Sequence, residues 1–386
     1  GAGTPPPELA GRDELRESIR IAIARIRIGR SAKSMILTGL RGVGKTVLLD
    51  RVRDDAEGEG IHTLRIEAPE DRSLPAILAP QLRQSLLRLS KIAKAKDYAE
   101  RALRALAGLA GALKFKYDDI EVGIDFEAEA GLADNGDLEH DLQALLDASG
   151  EAAQHADTAL VIFIDEMQYI EEDQLAALIT ALHRVSQRQL PLTLVGAGLP
   201  QLPGQFGNAK SYAERLFHFA TIGALSEIDS RAALRIPARS EGADYEDEAL
   251  ALIVEKTKGY PYFLQEWGKH IWDLAEDSPF TIEDVDNASD VVIAALDESF
   301  FRVRFDRMTP AEKKYLRAMA ELGPGPHRSG DIADELGIKV TSAGPVRSNL
   351  IRKGMVWSLA YGETDFTVPL FDAFMRRTMP GDDWRS

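Results

Sequence analysis

The octapeptide Gly39–Thr46, GLRGVGKT, constrains this chain more than any other stretch. It lies between a short apolar, β-prone run, Met35–Thr38, and a helix-like start, Val47–Asp50. Glycines at this spacing let the backbone curl so that successive N–H groups point at one anion. The helix N-terminus adds its dipole at the same spot. Lys45 has the reach for the β- and γ-phosphates of a nucleotide, and the Thr46 hydroxyl suits Mg²⁺. The spacing predicts an ATP/ADP site built from Gly39, Leu40, Arg41, Gly42, Val43, Gly44, Lys45, Thr46 and Val47.

Such a cradle turns over only if an acid holds magnesium and a base activates water. ALVIFIDEMQYI, Ala159–Ile170, supplies both. Leu160–Ile164 is an unbroken apolar run, the pattern of a strand buried on both faces of a parallel sheet. Ligands of such sheets sit at the carboxyl ends of the strands. Asp165 is therefore the candidate metal ligand, and Glu166 the candidate base for the attacking water. Lys45 and Glu166 are the candidate catalytic residues of the chain's own site.

Composition narrows the setting. The net charge of −16 argues against a protein that coats DNA nonspecifically, though it leaves room for one local contact surface. There are no cysteines, so disulfides, thiolate zinc sites and cysteine nucleophiles are excluded. His183, His218 and His270 are isolated and show no metal spacing. No run approaches the ~18 apolar residues that span a bilayer, and the first residues form no apolar leader. These features point to the cytoplasm.

GLRGVGKT together with IFIDEMQ resembles the AAA+/STAND group of P-loop ATPases, and most closely its archaeal-type and origin-recognition-like members. Weaker segments agree with this. ELAGRDELRESI resembles the Gly-Arg box of that group, and the resemblance implies that Gly11 and Arg12 lie near the adenine. LTLVGAGLPQL resembles the sensor-1 strand, and GYPYFLQ the G-x-P motif of the helical lid, which brings Pro261 to the nucleotide. Two departures stand out. Gly196-Ala197-Gly198 occupies the place where many relatives carry a polar side chain, and no arginine follows Gly259-Tyr260-Pro261. Both suit a slow switch better than a fast motor. SYAERLFHFATI resembles the end of the helix before the last core strand, and the resemblance gives Arg215 the place of an arginine finger acting on a neighbouring subunit. A finger there implies a homo-oligomer that forms on ATP; a plain helix-end arginine beside Glu214 is the alternative.

Arg12–Arg30 reads as an amphipathic helix with a basic outer face, and Leu74–Leu113 as helical. Alternating apolar residues from Phe115 to Phe126 then signal a strand or hairpin, and Asp137–His155 returns to a helical period. From Leu225 the pattern is helical, with Ser226 and Thr281 as caps and Trp267, Trp272 and Phe300-Phe301 in the core.

The tail changes character again. Thr309, Pro310 and Glu312 form a capping signature, SGDIADELG is a short helix, and Thr341–Val356 is a second. VWSLAYGETDFTVP reads as two short strands. The whole resembles a winged helix-turn-helix, which in DNA-binding members puts its second motif helix into the major groove. Val346, Leu350 and Ile351 then face the core, leaving Ser342, Arg347, Ser348 and Arg352 for duplex DNA, with Lys339 and Lys353 near the backbone. From Asp306 onward there are 12 Lys/Arg and 11 Asp/Glu, a net +1 and far less basic than a typical DNA-binding domain. A protein partner for the winged helix and the β-insertion is the alternative.

The expectation is an α/β P-loop NTPase with a parallel-sheet core over 1–225, a β-rich insertion at about 114–130, a helical lid over 226–300 and a winged helix-turn-helix over 301–386.

Overall fold

The computed structural model describes residues 6, 8–114, 116, 126–358 and 362–385. The strand reading of Phe115–Phe126 falls, but for Lys116 and Phe126, outside them. The described chain divides into two compact units. One comprises 12–38 and 45–221. The other comprises the phosphate-loop segment Gly39–Gly44, Ile222–Ser386 and the short segment ending at Gly11.

The first unit is built on five strands: β1 (Ser34–Thr38), β2 (His62–Glu67), β3 (Leu160–Asp165), β4 (Leu192–Gly198) and β5 (Phe217–Thr221). All pairs are parallel, in the order β2-β3-β4-β1-β5. Every residue of β3 and β4 is buried, as helices on both faces demand. The helix Lys45–Gly58 follows β1, and Glu172–Gln187 links β3 to β4. Leu74–Leu89, Lys96–Leu113 and Leu138–His155 lie between β2 and β3. Leu82, Leu103, Leu106, Leu142 and Leu146, drawn from those three helices, join Ile162, Ile164 and Leu194 of the sheet in one core.

The register decides where chemistry can happen. Thr38 pairs with Gly198, Ile164 with Gly196, and Glu67 with Asp165. The carboxyl ends of β1, β2, β3 and β4 therefore share one edge of the sheet.

The second unit is mostly helical. Ser226 caps the helix Glu227–Ser240 by accepting a bond from the Asp229 amide, and Thr281 and Thr309 form capping boxes with Asp284 and Glu312. After the helix Pro310–Glu321 come β6 (His327–Arg328), the helices Ser329–Glu335 and Val340–Arg352, then β7 (Val356–Trp357) and β8 (Glu363–Phe366). These last strands form an antiparallel sheet in the order β6-β8-β7. Leu350 is buried, while Val346 and Ile351 are half-buried against the same core. Trp267 is 3% exposed, as expected of a core residue, but Trp272 is 44% exposed and packs only its ring against Phe280.

Lid helices and tail share a single hydrophobic cluster. Phe301, 2% exposed, stacks on Phe374 with centroids 5.2 Å apart and meets Phe263 of the helix Pro261–Leu274 at 6.0 Å. Phe301→Ala should lower the unfolding free energy of this unit by about 3–5 kcal/mol. In urea denaturation the lid and tail should then lose structure together at a lower midpoint. Unfolding at the wild-type midpoint would contradict a shared core.

Candidate active site

The phosphate loop needs glycine where the sequence supplies it. Gly42 and Gly44 have φ of +80° and +89°, a region that side chains disfavour. A Cβ on Gly39 would collide with the carbonyl oxygen of Ile222. Thr46 follows in the first turn of the helix Lys45–Gly58, whose first residue, Lys45, is 6% exposed.

The loop segment is fastened within its own unit from two directions. The Tyr262 amide donates to the Gly42 carbonyl at 3.1 Å, and the Arg41 amide donates to the Thr367 carbonyl at 2.8 Å. The Arg41 side chain adds a longer bond from Nε to the Gly354 carbonyl, 3.4 Å. Tyr262 is presented by the turn before it. Gly259 sits at φ +71°, and Pro261 opens the helix Pro261–Leu274 at a position where no N–H is needed. The Tyr262 ring stacks on Phe300, centroids 4.6 Å apart. Gly11, at φ +67°, lies against the side chain of Asp229, while Arg12 precedes the helix Asp13–Arg27.

The acidic half occupies the shared carboxyl edge. Asp165 is 1% exposed and both of its oxygens are engaged. Oδ1 accepts the Glu166 amide at 2.9 Å, and Oδ2 pairs with Nη2 of Arg65 at 3.1 Å. Glu166 adopts a left-handed backbone, φ +53°, at a cost of about 1–3 kcal/mol. Its carboxylate accepts a hydrogen bond from the Gln168 amide group, and Gln168 Oε1 in turn accepts the Leu199 amide at 3.1 Å. Glu67 at the end of β2 has its carboxyl held above the usual range, first by partial burial and then by the charges of Asp165, Glu166 and Asp50. An edge so rich in carboxylates calls for a cation. Asp165 with the Thr46 hydroxyl suits Mg²⁺, which is commonly held by one or two carboxylates, phosphate oxygens and waters. Among the described residues no three His, Cys, Asp or Glu side chains converge as a complete metal cage.

The glycines of β4 gain a reason. A Cβ on Gly198 would stand 2.5 Å from Gln168 Oε1 and 2.6 Å from Leu202, and one on Gly196 would strike the Met167 sulfur. The polar group at this level is therefore Gln168, reaching across from the acidic motif.

The other candidates lie elsewhere. Arg215 is exposed on the four-residue helix Ala213–Leu216. It borders a cavity of about 270 Å³ together with Lys33, Ser34 and Thr193, at the amino ends of β1, β4 and β5. That is the sheet edge opposite Asp165, so Arg215 does not serve the acidic residues of its own unit. In the tail, Ser342, Ser348 and Arg352 are exposed along the helix Val340–Arg352. Arg347 is turned inward. Its Nε donates to Thr364 Oγ1 at 2.6 Å, and its Nη2 to Ser358 Oγ and the Glu363 carbonyl at 2.7 and 2.9 Å. Lys353 pairs with Glu312 at 2.8 Å.

Sequence reading passed over Arg65, Gln168, Tyr262 and Thr367. Arg65 left one signal, a lone cation between Leu64 and Ile66 in an otherwise apolar strand centre. Gln168 left another, an amide two residues beyond the acidic pair. The roles of Tyr262 and Thr367 are carried by backbone groups and leave no residue signature.

The parallel sheet with its glycine-rich phosphate loop has the form of a P-loop NTPase fold. Residues 8–195 match the family described as AAA ATPase domain. Residues 298–375 match a Domain of unknown function (DUF8462). The fold is shared with the Walker-type ATPase PABY2304 of Pyrococcus abyssi, at a TM-score of 0.59 and 15% identity, over 97% of this chain and 98% of that one. More distant likenesses are the Aeropyrum pernix Orc1 protein in complex with DNA, TM-score 0.47 and 16% identity over 96% and 94% of the two chains, and the Thermotoga maritima Holliday junction branch migration motor RuvB, TM-score 0.43 and 16% identity over 92% and 91%. A comparison with curated proteins finds no match. No helix among the described residues is long and apolar enough to cross a membrane.

Gly198→Ala should push Gln168 aside and release Glu166. ATP should bind as before while turnover falls by about tenfold or more, a cost typical of small misplacements near reacting groups. Equal loss of binding and turnover would show that the glycine acts on the fold alone.

Proposed function

We propose that this chain is an ATP-binding, slowly hydrolysing switch whose C-terminal region carries the output. The observation that supports it most is the common edge of the sheet. Lys45 and Thr46 come after the carboxyl end of β1, Asp165 ends β3 with Glu166 next, and both strands pair with the last residues of β4. Lys45 neutralises the β- and γ-phosphates, and Asp165 with Thr46 holds Mg²⁺. A metal held by Asp165 and Thr46 would supply positive charge to offset that of the phosphates. Glu166 accepts a proton from the attacking water, with its carboxylate steadied by Gln168. Two features argue for a slow rate. β4 ends in glycines, and no arginine follows Pro261 in its helix.

The tail has the order helix, strand, helix, helix, strand, strand, and we read it as a winged helix that meets duplex DNA through Ser342, Ser348 and Arg352. Arg347 contributes by holding the helix Val340–Arg352 to the wing. Ile338 and Val340, 41% and 48% exposed at the start of that helix, favour a second reading in which the partner is a protein. Arg215 acts on a neighbouring copy if the chain assembles on ATP.

Steady-state ATP hydrolysis with and without duplex DNA at low salt, with Lys45→Ala as the blank, tests this reading. Glu166→Gln should bind ATP and lose about 10²-fold or more in turnover. Wild-type turnover equal to the Lys45→Ala blank would overturn the ATPase. DNA should stimulate the rate, and its affinity should fall steeply with salt. Arg352→Ala should weaken DNA binding, whereas DNA affinity indifferent to salt and to Arg352 would leave the protein partner. Arg215→Ala should slow turnover only where the protein assembles.

A further inference from the structure

Arg65 stands at the centre of the acidic edge. Its Nε donates to Asp50 Oδ1 at 2.8 Å, its Nη2 to Asp165 Oδ2 at 3.1 Å, and its Nη1 to the Ile66 carbonyl at 2.6 Å. Asp50 belongs to the helix that follows the phosphate loop, and Asp165 to β3. One planar fork thus joins two acids from different elements, and the bond to its own strand fixes the fork's direction. The side chain is only 18% exposed, and that of Asp165 only 2%, so bulk salt screens the pair weakly. Glu67 lies close enough to feel the charges of Asp165, Glu166, Arg65 and Asp50, while Arg53 approaches Asp50 at 3.8 Å.

From this geometry, and resting on the nucleotide reading above, we infer that Arg65 is a resident counter-cation of the metal site. It holds Asp165 in place before a metal arrives, keeps the carboxylates from repelling phosphate, and competes with a divalent cation for Asp165 Oδ2. It is a positioning residue and transfers no proton. The Glu166 amide holds the other oxygen, so Asp165 stays oriented when Oδ2 changes partner.

Two readouts on the full chain separate this role from a structural one. In EDTA, Arg65→Gln should bind a fluorescent ATP analogue about tenfold or more weakly than wild type, because phosphate then faces uncompensated carboxylates. By electron paramagnetic resonance, Mn²⁺ alone should bind Arg65→Gln about tenfold or more tightly than wild type. Arg65→Lys should restore much of both. If Arg65→Gln fails to fold, Asp50→Asn serves instead. It leaves Asp165 as the one carboxylate hydrogen-bonded to Arg65 among the described residues, so Mn²⁺ should bind more weakly than in wild type. Unchanged Mn²⁺ and metal-free nucleotide affinities in the folded variant would overturn the inference. If the wild-type protein bound no nucleotide, the nucleotide reading would fail instead, and the Mn²⁺ comparison would still report on Arg65.

Discussion

A parallel sheet brings the carboxyl ends of its strands to one edge, and the site here depends on that constraint. Strand β4 runs between β1 and β3 and pairs with both. Its last three residues fix how far apart the ends of β1 and β3 lie. Because β3 and β4 are buried throughout, a slip of register would move apolar side chains off their helices along the whole sheet. The hydrophobic core thereby holds Asp165 and Glu166 at the edge. Local strain is then affordable: the left-handed turn at Glu166 persists because Gln168, Leu199 and the glycines of β4 hold the surroundings in place.

The division of the chain into units runs through the octapeptide itself, between Gly44 and Lys45. The loop residues that precede the lysine are hydrogen-bonded to the lid at Tyr262 and to the tail at Thr367. Both contacts use main-chain groups, so they report the shape of the loop and are insensitive to the side chains at its variable positions. Any ligand that reshapes the Gly39–Gly44 backbone must work with or against these bonds. By linkage, whatever shifts Thr367 or Tyr262 acts on that ligand with equal free energy.

The parts of the site that were legible in the sequence are those whose chemistry is local. A glycine spacing before a Lys-Thr pair, or two acids after an apolar run, carries its function in a few consecutive residues. Thr281 and Thr309 were legible as caps for the same reason, since an N-cap and its partner lie three residues apart. Arg65 was not, because its importance comes from the β2–β3 register and from Asp50 on a separate helix. Arg347 looked free on a helical wheel, and only the return of β8 brought it a hydroxyl and a carbonyl to bind. Trp272 misled in the opposite way. Its helix buries Phe263, Trp267 and Ile271 on one face, and position 272 falls just off that stripe.

The aromatic seam in which Phe263 and Phe300 meet Phe301, and Phe301 meets Phe371 and Phe374, has a practical meaning for anyone dividing this molecule. A gene cut near residue 300 would look reasonable from helix boundaries. It would leave one fragment with bare rings and the other without the surface that covers them. Pieces so made would stick together, or to the wrong chains. Lid and tail thus rest on one core, and a graft that carried one without the other would uncover it.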